Sequence, residues 1–395
     1  MLFREQLDAE LKKRIDEFHT FAHTQASDLK SYLARLSLLE ALSYSEIEAI
    51  FAEAENIGAF PSAEIEAEKT FNVPFKRTWQ NHQQARAWAS EILDSRTTFA
   101  ADGSQIYAGK ESSAPVAAIQ IGWFENPHDP GEPYEKNARF EILTPADLFK
   151  DQEDPMNPDI RVEERRYLGE VERIGEFLEK KRGWKARGER MPLAFFDNPL
   201  LVPFSQKGLQ KSFLEATVSL VELSQNTGVP LVGFVDRSFS RDLLTMLEHF
   251  ESAGRNQDGA IYDASLLFAT LASWGDRTCF CYSKRRGLNA FDDRATGRSR
   301  VGFTYLQTTS NSQPARLDIP SWVYEAGLLN EMIDIVRAEC VIGVGYPYAL
   351  ETADQTAVIA ARDREVFFRA LQEFATRGKL DFSVTRKSES KNRRR

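Results

Sequence analysis

The chain has 395 residues, 42% hydrophobic and 28% charged, with a formal net charge of −9 at pH 7. This suits one large or two ordinary globular domains, and no apolar run approaches the roughly eighteen residues of a membrane span. Three cysteines and a charged start, Met1-Leu2-Phe3-Arg4-Glu5-Gln6, favour a reducing cytoplasm over a disulfide framework.

In chain order, residues 1–95 read as helix throughout, an accessory helical layer. Leu7, Leu11 and Ile15 recur every fourth residue, and Leu29, Leu33, Leu36 and Leu39 repeat the pattern. Ser43 with Glu46 forms a capping box for a helix over 45–54, and a third helix is expected over 80–93. His19 and His23 stand four apart but lack the glutamate of a zinc protease, so they read as packing residues.

From Thr97 the period changes. Strands are expected over 98–101, 116–124 and 139–143, with a Pro- and acid-rich loop at 125–135. A polar loop at 150–159 leads to a charged helix over 160–181 and a strand ending at Asp197. A helix over 209–225, a strand ending at Asp236 and a helix over 240–250 follow. The last third reads as strands near 278–282 and 301–307, a helix over 324–340, a strand at 341–344 and a final helix over 352–376. Strands first, then βα alternation, predicts an α/β fold with a mixed sheet flanked by helices. The residues after Lys379 form a polar, basic tail expected to be disordered. Cys279 and Cys281 form a C-x-C without the second pair that a zinc site needs.

Three apolar runs each end on an aspartate and a turn-forming residue: Phe99-Ala100-Ala101-Asp102-Gly103-Ser104, Leu193–Phe196 with Asp197-Asn198-Pro199, and Leu231–Val235 with Asp236-Arg237-Ser238. Carboxylates gathered where buried strands end repel one another and persist most easily around a shared cation. Asp236 reads as a structural turn residue. In the helix between the first two runs, Glu170 shares a face with Tyr167, Ile174 and Phe177, whereas Glu172 lies with Glu176 and Glu179 on the solvent side. An acid on an apolar face needs a partner or a metal, so Glu170 is the candidate and Glu163 its reserve. Gly343-Val344-Gly345-Tyr346-Pro347 reads as the end of a strand, and Asp354 as a first-turn residue of the last helix. Such a carboxylate set is that of a metal-dependent phosphodiesterase. No G-x-S-x-G elbow and no G-x-x-x-x-G-K-[ST] loop offers another device. Local positive charge at Lys284, Arg285 and Arg286, with Arg316, marks candidate DNA contacts despite the acidic total. Arg294, Arg298, Arg300 and the tail from Arg386 to Arg395 add further basic clusters.

Thr98-Phe99-Ala100-Ala101-Asp102-Gly103-Ser104-Gln105 resembles the opening motif of the NurA nucleases, and Gly345-Tyr346-Pro347-Tyr348-Ala349-Leu350 with Ala353-Asp354 resembles their closing motif. The resemblance implies an RNase H-like domain over 96–380, after the helical region 1–95 and before a tail at 381–395. It implies Asp102, Glu170, Asp197 and Asp354 as metal ligands and, with Tyr346, as catalytic residues. Asp354 stands where the family often has histidine, and Asn198-Pro199 where Gly-Ser is commoner. The implied activity is manganese-dependent (magnesium as the alternative ion) cleavage of single-stranded DNA and 5′ to 3′ degradation. The implied setting is a cytoplasmic homodimer with a HerA-type hexameric translocase, acting on DNA with single-stranded ends in double-strand-break repair. Its rivals are a catalytically silent docking subunit of a translocase and a module that binds nucleic acid without cutting it.

Overall fold

The computed structural model describes residues 3–109, 113–150, 158–201, 210–250, 261–293 and 297–380. The basic tail, Arg294 and most of the 150–159 loop lie outside the described residues. The chain opens with α1 (Arg4–Lys13), α2 (Ile15–Glu40), α3 (Tyr44–Phe51), β1 (Gly58–Pro61), α4 (Glu64–Glu68), β2 (Asn72–Val73) and α5 (His82–Leu93). Next come β3 (Thr98–Ile106), β4 (Ala117–Asn126), β5 (Glu135–Leu143), α6 (Pro145–Leu148), α7 (Pro158–Lys180), β6 (Leu193–Phe196), α8 (Gln210–Thr227) and β7 (Leu231–Val235). The remainder holds α9 (Asp242–Phe250), α10 (Asp263–Phe268), β8 (Arg277–Thr278), β9 (Cys281–Lys284), β10 (Val301–Leu306), β11 (Ala315–Pro320), α11 (Ser321–Glu325), α12 (Leu329–Ile342), α13 (Tyr348–Ala357) and α14 (Ala361–Arg377).

Two compact units divide the chain. One joins Met1–Thr78 to Val235–Tyr324, and the other joins Trp79–Phe234 to Glu325–Arg395. The boundary expected near residue 95 does not coincide with this division.

In the first unit, β1 pairs with β9, β9 with β10, and β10 with β11, all antiparallel, while β8 bridges β2 and β10. The first 95 residues are therefore not helical throughout. Short strands β1 and β2 find hydrogen-bond partners some two hundred residues away, which local periodicity cannot reveal. The capping box at Ser43 and Glu46 forms, with both reciprocal hydrogen bonds. The stripe of Leu7, Leu11 and Ile15 is present but faces solvent, and α1 buries no residue.

In the second unit, β3, β4 and β5 form an antiparallel meander, and β6 and β7 add parallel to β3, giving the order β7-β6-β3-β4-β5. Numbered within this unit the order is 5-4-1-2-3, a mixed α/β sheet of RNase H-like topology. Every residue of β6 is buried, as expected for a parallel strand covered on both faces, whereas β5 is an exposed edge.

Two expectations near the C-terminus are corrected. Residues 341–344 are not a strand: α12 runs to Ile342, and the chain turns with Val344 at φ 57° and Gly345 at φ 108°. Met332, Ile335, Val336 and Cys340 continue the helical burial pattern, which a β-branched run had disguised. The final helix is also two helices, broken after Ala357, where the α13 C-cap Val358 is extended. Asp354 consequently lies in the last turn of α13, not in a first turn.

Candidate active site

Strand β3 does not stop at Asp102. It continues through Gly103-Ser104 to Ile106, because β4 supplies partners along its whole length, with Asp102 opposite Gly122. The strand that stops is its other neighbour. β6 pairs with β3 only as far as Ala101 opposite Phe196, so Asp102 and Asp197 stand side by side one step beyond that last pair. The carboxylates meet because one strand ends and its neighbour goes on.

Side chains alternate across β3. Gly103 faces α7: a Cβ there would lie 2.7 Å from both Glu170 Oε1 and Arg166 Cγ. Asp102 and Ser104 face α13 instead. Ser104 Oγ donates to the Ala357 carbonyl (2.5 Å) and accepts from Ile359 N–H (3.1 Å), and Gln120 Nε2 donates to the same carbonyl (3.1 Å). Gly122 has no room for a side chain, since a Cβ would stand 2.5 Å from Ala357 N. These contacts pin the end of α13 against β3 and β4 and bring Asp354 within hydrogen-bonding reach of Asp102.

Glu170 comes from α7 on the other face and is fully buried, while Glu172 is exposed. Its Oε1 accepts from Arg166 Nη1 and its Oε2 from Asn198 Nδ2 (3.1 Å). Burial pushes Glu170 up to about 8, with Asp102 and Asp197 adding to the rise and Arg166 opposing it. Asp102 is pushed up to about 6, first by burial and then by the charges of Asp197 and Asp354, against a lowering bond from Gly103 N–H. The Tyr346 hydroxyl donates to Asp197 Oδ1 (2.7 Å), and its ring packs edge-on against Phe234 (centroids 5.2 Å apart). The turn after α12 thus places the tyrosine, and the tyrosine orients Asp197.

Asp102, Glu170, Asp197, Tyr346 and Asp354 all gather here. The donors are all oxygen, and the acids crowd Asp102 and Glu170 enough to raise both, which suits a hard divalent cation. Among the described residues no three acidic, His or Cys side chains already stand in metal-binding arrangement. Glu170 accounts for part of this, since both of its oxygens are engaged elsewhere.

Glu163 is not among these. It accepts from Tyr107 Oη, Gln105 Nε2 (3.3 Å) and Arg166 Nη2 (3.2 Å). Arg166 is the residue that sequence reading missed. Its position four before an acid on an apolar face was the available signal. Asp236 is exposed.

The basic candidates lie in the other unit and differ among themselves. Arg286 is exposed, Lys284 donates to the Gly297 carbonyl (3.1 Å), and Arg285 is partly buried against Asp242 and Ser240. Arg316 is corrected as a DNA contact: only 2% exposed, it pairs with Asp242 and Asp318 (both 2.7 Å) and stacks over Phe303. Its charge holds a core together and is closed to phosphates.

A family model described as the NurA domain matches residues 96–359, more than half of the chain. Among solved structures, the chain is similar to NurA with manganese, at 9% identity over 70% of this chain and 90% of that one, TM-score 0.39. It is likewise similar to NurA bound to dAMP and manganese, at 9% identity, 70% and 88% coverage, TM-score 0.36. The catalytic domain of human endonuclease V follows at 14% identity, 75% and 99% coverage, TM-score 0.32. These scores describe a loose likeness. No curated protein matches the sequence.

Proposed function

The chain belongs to the NurA family, and from that premise we propose that it is a divalent-metal-dependent deoxyribonuclease that hydrolyses phosphodiester bonds at the Asp102 cluster. The observation that carries this reading is the convergence of Asp102, Asp197 and Asp354 with the buried Glu170, where burial and the neighbouring acids raise the pKa of Asp102 and of Glu170.

Asp102, Glu170, Asp197 and Asp354 would hold the metal, and their number fits a pair of ions. Manganese is carried over from the NurA structures that hold it. Such an ion, when bound, lowers the pKa of water and stabilises charge on a leaving oxygen. The protein's own part is positional. Tyr346 fixes the rotamer of Asp197, Asn198 holds one oxygen of Glu170, and Ser104 and Gln120 clamp the helix end that carries Asp354. These supports hold the four carboxyl groups in one place, Glu170 buried and Asp197 and Asp354 at the surface.

The finer reading follows the family resemblance: cleavage of single-stranded DNA, 5′ to 3′ degradation from single-stranded ends, and action as a cytoplasmic homodimer with a HerA-type translocase in end resection. Cleavage of labelled single-stranded DNA in manganese against EDTA tests the core of it. Wild-type protein is expected to cut only with metal. Asp102→Asn should abolish cutting while leaving folding and DNA binding nearly intact. Salt-dependent binding without cleavage by wild type would overturn the nuclease in favour of a non-cutting module.

A further inference from the structure

Arg166 bridges two glutamates at the edge of the carboxylate cluster. Its Nη1 reaches Glu170 Oε1 at 2.5 Å, and its Nη2 reaches Glu163 Oε2 at 3.2 Å. Glu170 is fully buried, and Arg166 supplies the only positive charge paired with it among the described residues. Gly103 provides the space for this arrangement, since a Cβ would collide with both partners.

Three features make the pairing exchangeable. Arg166 already has a second acceptor in Glu163, which Tyr107 and Gln105 fix in place. Among the described residues the buried Arg166 Nε has no hydrogen-bond partner, so the guanidinium is not locked by a full set of contacts. The other oxygen of Glu170 stays on Asn198, which keeps the carboxylate oriented if Arg166 leaves.

We propose that Arg166 is a placeholder: it holds Glu170 Oε1, and metal entry moves the ionised Glu170 from Arg166 to the ion while Glu163 retains the arginine. The inference rests on the reading of Asp102, Glu170, Asp197 and Asp354 as the metal site. It makes Arg166 a positioning residue that holds Glu170 and has to yield before Glu170 can serve as a ligand.

Crystals of the full chain grown without metal and soaked in manganese, with ions located by anomalous scattering, test it directly. The expected result is manganese at the carboxylates, the Arg166–Glu170 separation opened beyond hydrogen-bonding range (about 3.5 Å), and the Arg166–Glu163 pair kept. An Arg166–Glu170 bond retained beside bound manganese would overturn the placeholder and leave the metal site standing. No manganese at the carboxylates would overturn both. In solution, free manganese measured by electron paramagnetic resonance compares wild type with Arg166→Lys, which keeps the charge but loses the fork that bridges two carboxylates. Affinity should rise severalfold in the lysine variant. An unchanged or lower affinity would show that arginine supports the metal-bound state and would overturn the proposal. Asp102→Asn serves as the control, and full affinity in that variant would remove the metal site itself.

Discussion

Asp102 and Glu170 both hold protons more tightly in the folded chain than free carboxyls do, at about 6 and about 8. The reference values for an unfolded chain are about 3.9 and 4.3. Between those limits the folded state binds more protons than the unfolded state, so metal-free stability falls as pH rises. The contribution is greatest below about pH 4. Asp102 should lose its share by about pH 6, and Glu170 by about pH 8. Thermal melts in EDTA at pH 5 through 8 should therefore show Glu170→Gln gaining on wild type as pH rises. A constant difference across that range would mean that Glu170 is ionised throughout. The same glutamate supplies a contrast with its neighbour. Glu170→Gln should reduce cleavage by orders of magnitude, because it removes a charge aimed at the cluster. Glu172→Gln, on the exposed side of α7, should be nearly silent, and the reverse ranking would remove Glu170 from the site.

Among the elements, α13 bears most directly on the chemistry. Its N-terminus is held by Glu339, whose Oε2 accepts from Ala349 N–H (2.9 Å), and its C-terminus is held by Ser104 and Gln120. Asp354 lies in the last turn, where the helix dipole disfavours a negative charge. An acid kept in an unfavourable place, beside another carboxylate, points to a role beyond stability. Asp354→Asn should consequently stabilise the fold slightly, by at most about 1 kcal/mol, while manganese affinity falls. Asp354→His should keep partial activity with a shift away from magnesium, because imidazole nitrogen also binds manganese. Calorimetric melts and manganese titrations on the two variants decide this. A loss of stability in Asp354→Asn with unchanged metal affinity would make the residue structural.

For the whole molecule, charge has to be sorted by where it is buried rather than by how densely it occurs. In the unit that contains β8–β11, Asp242 is fully buried. Burial alone would raise its pKa, but Arg316 and Arg285 more than offset this and hold it below the usual range. Asp263 in the same cluster is pushed up to about 7, by burial and by the charge of Asp242. It accepts from the N–H groups of Leu243 and Leu244 (both 3.1 Å) and from Tyr305 Oη (3.2 Å). Arg316→Ala leaves Asp242 and Asp318 without this partner in the core, and such losses cost about 3–5 kcal/mol. Chemical denaturation should show that loss, with DNA affinity of the folded fraction unchanged. Arg286→Ala, at an exposed position, should leave stability alone and, if it touches phosphate, lower the salt slope of DNA binding by about one. An unchanged slope would assign Arg286 to another surface role.

The sequence by itself determined whatever depends on neighbours within a few residues. The apolar runs of β6 and β7 read correctly as buried strands. Ser43 and Glu46 read correctly as a cap, and the helical phase of α7 placed Glu170 inward and Glu172 outward. The tertiary structure alone decided what depends on partners far along the chain. Asp102 looked like a strand terminus, yet β3 continues because β4 pairs with it to Ile106, and the meeting with Asp197 arises from where β6 stops. Residues 341–344 had the composition of a strand but are the end of a helix, because α12 has an apolar face to bury. Arg316 had the composition of a phosphate contact but lies in a core, because Asp242, seventy-four positions away, needs its charge there. Periodicity and capping act through local backbone geometry and are written in adjacent residues. Strand pairing and the neutralisation of buried charge join distant segments, so they become visible only once the chain has folded.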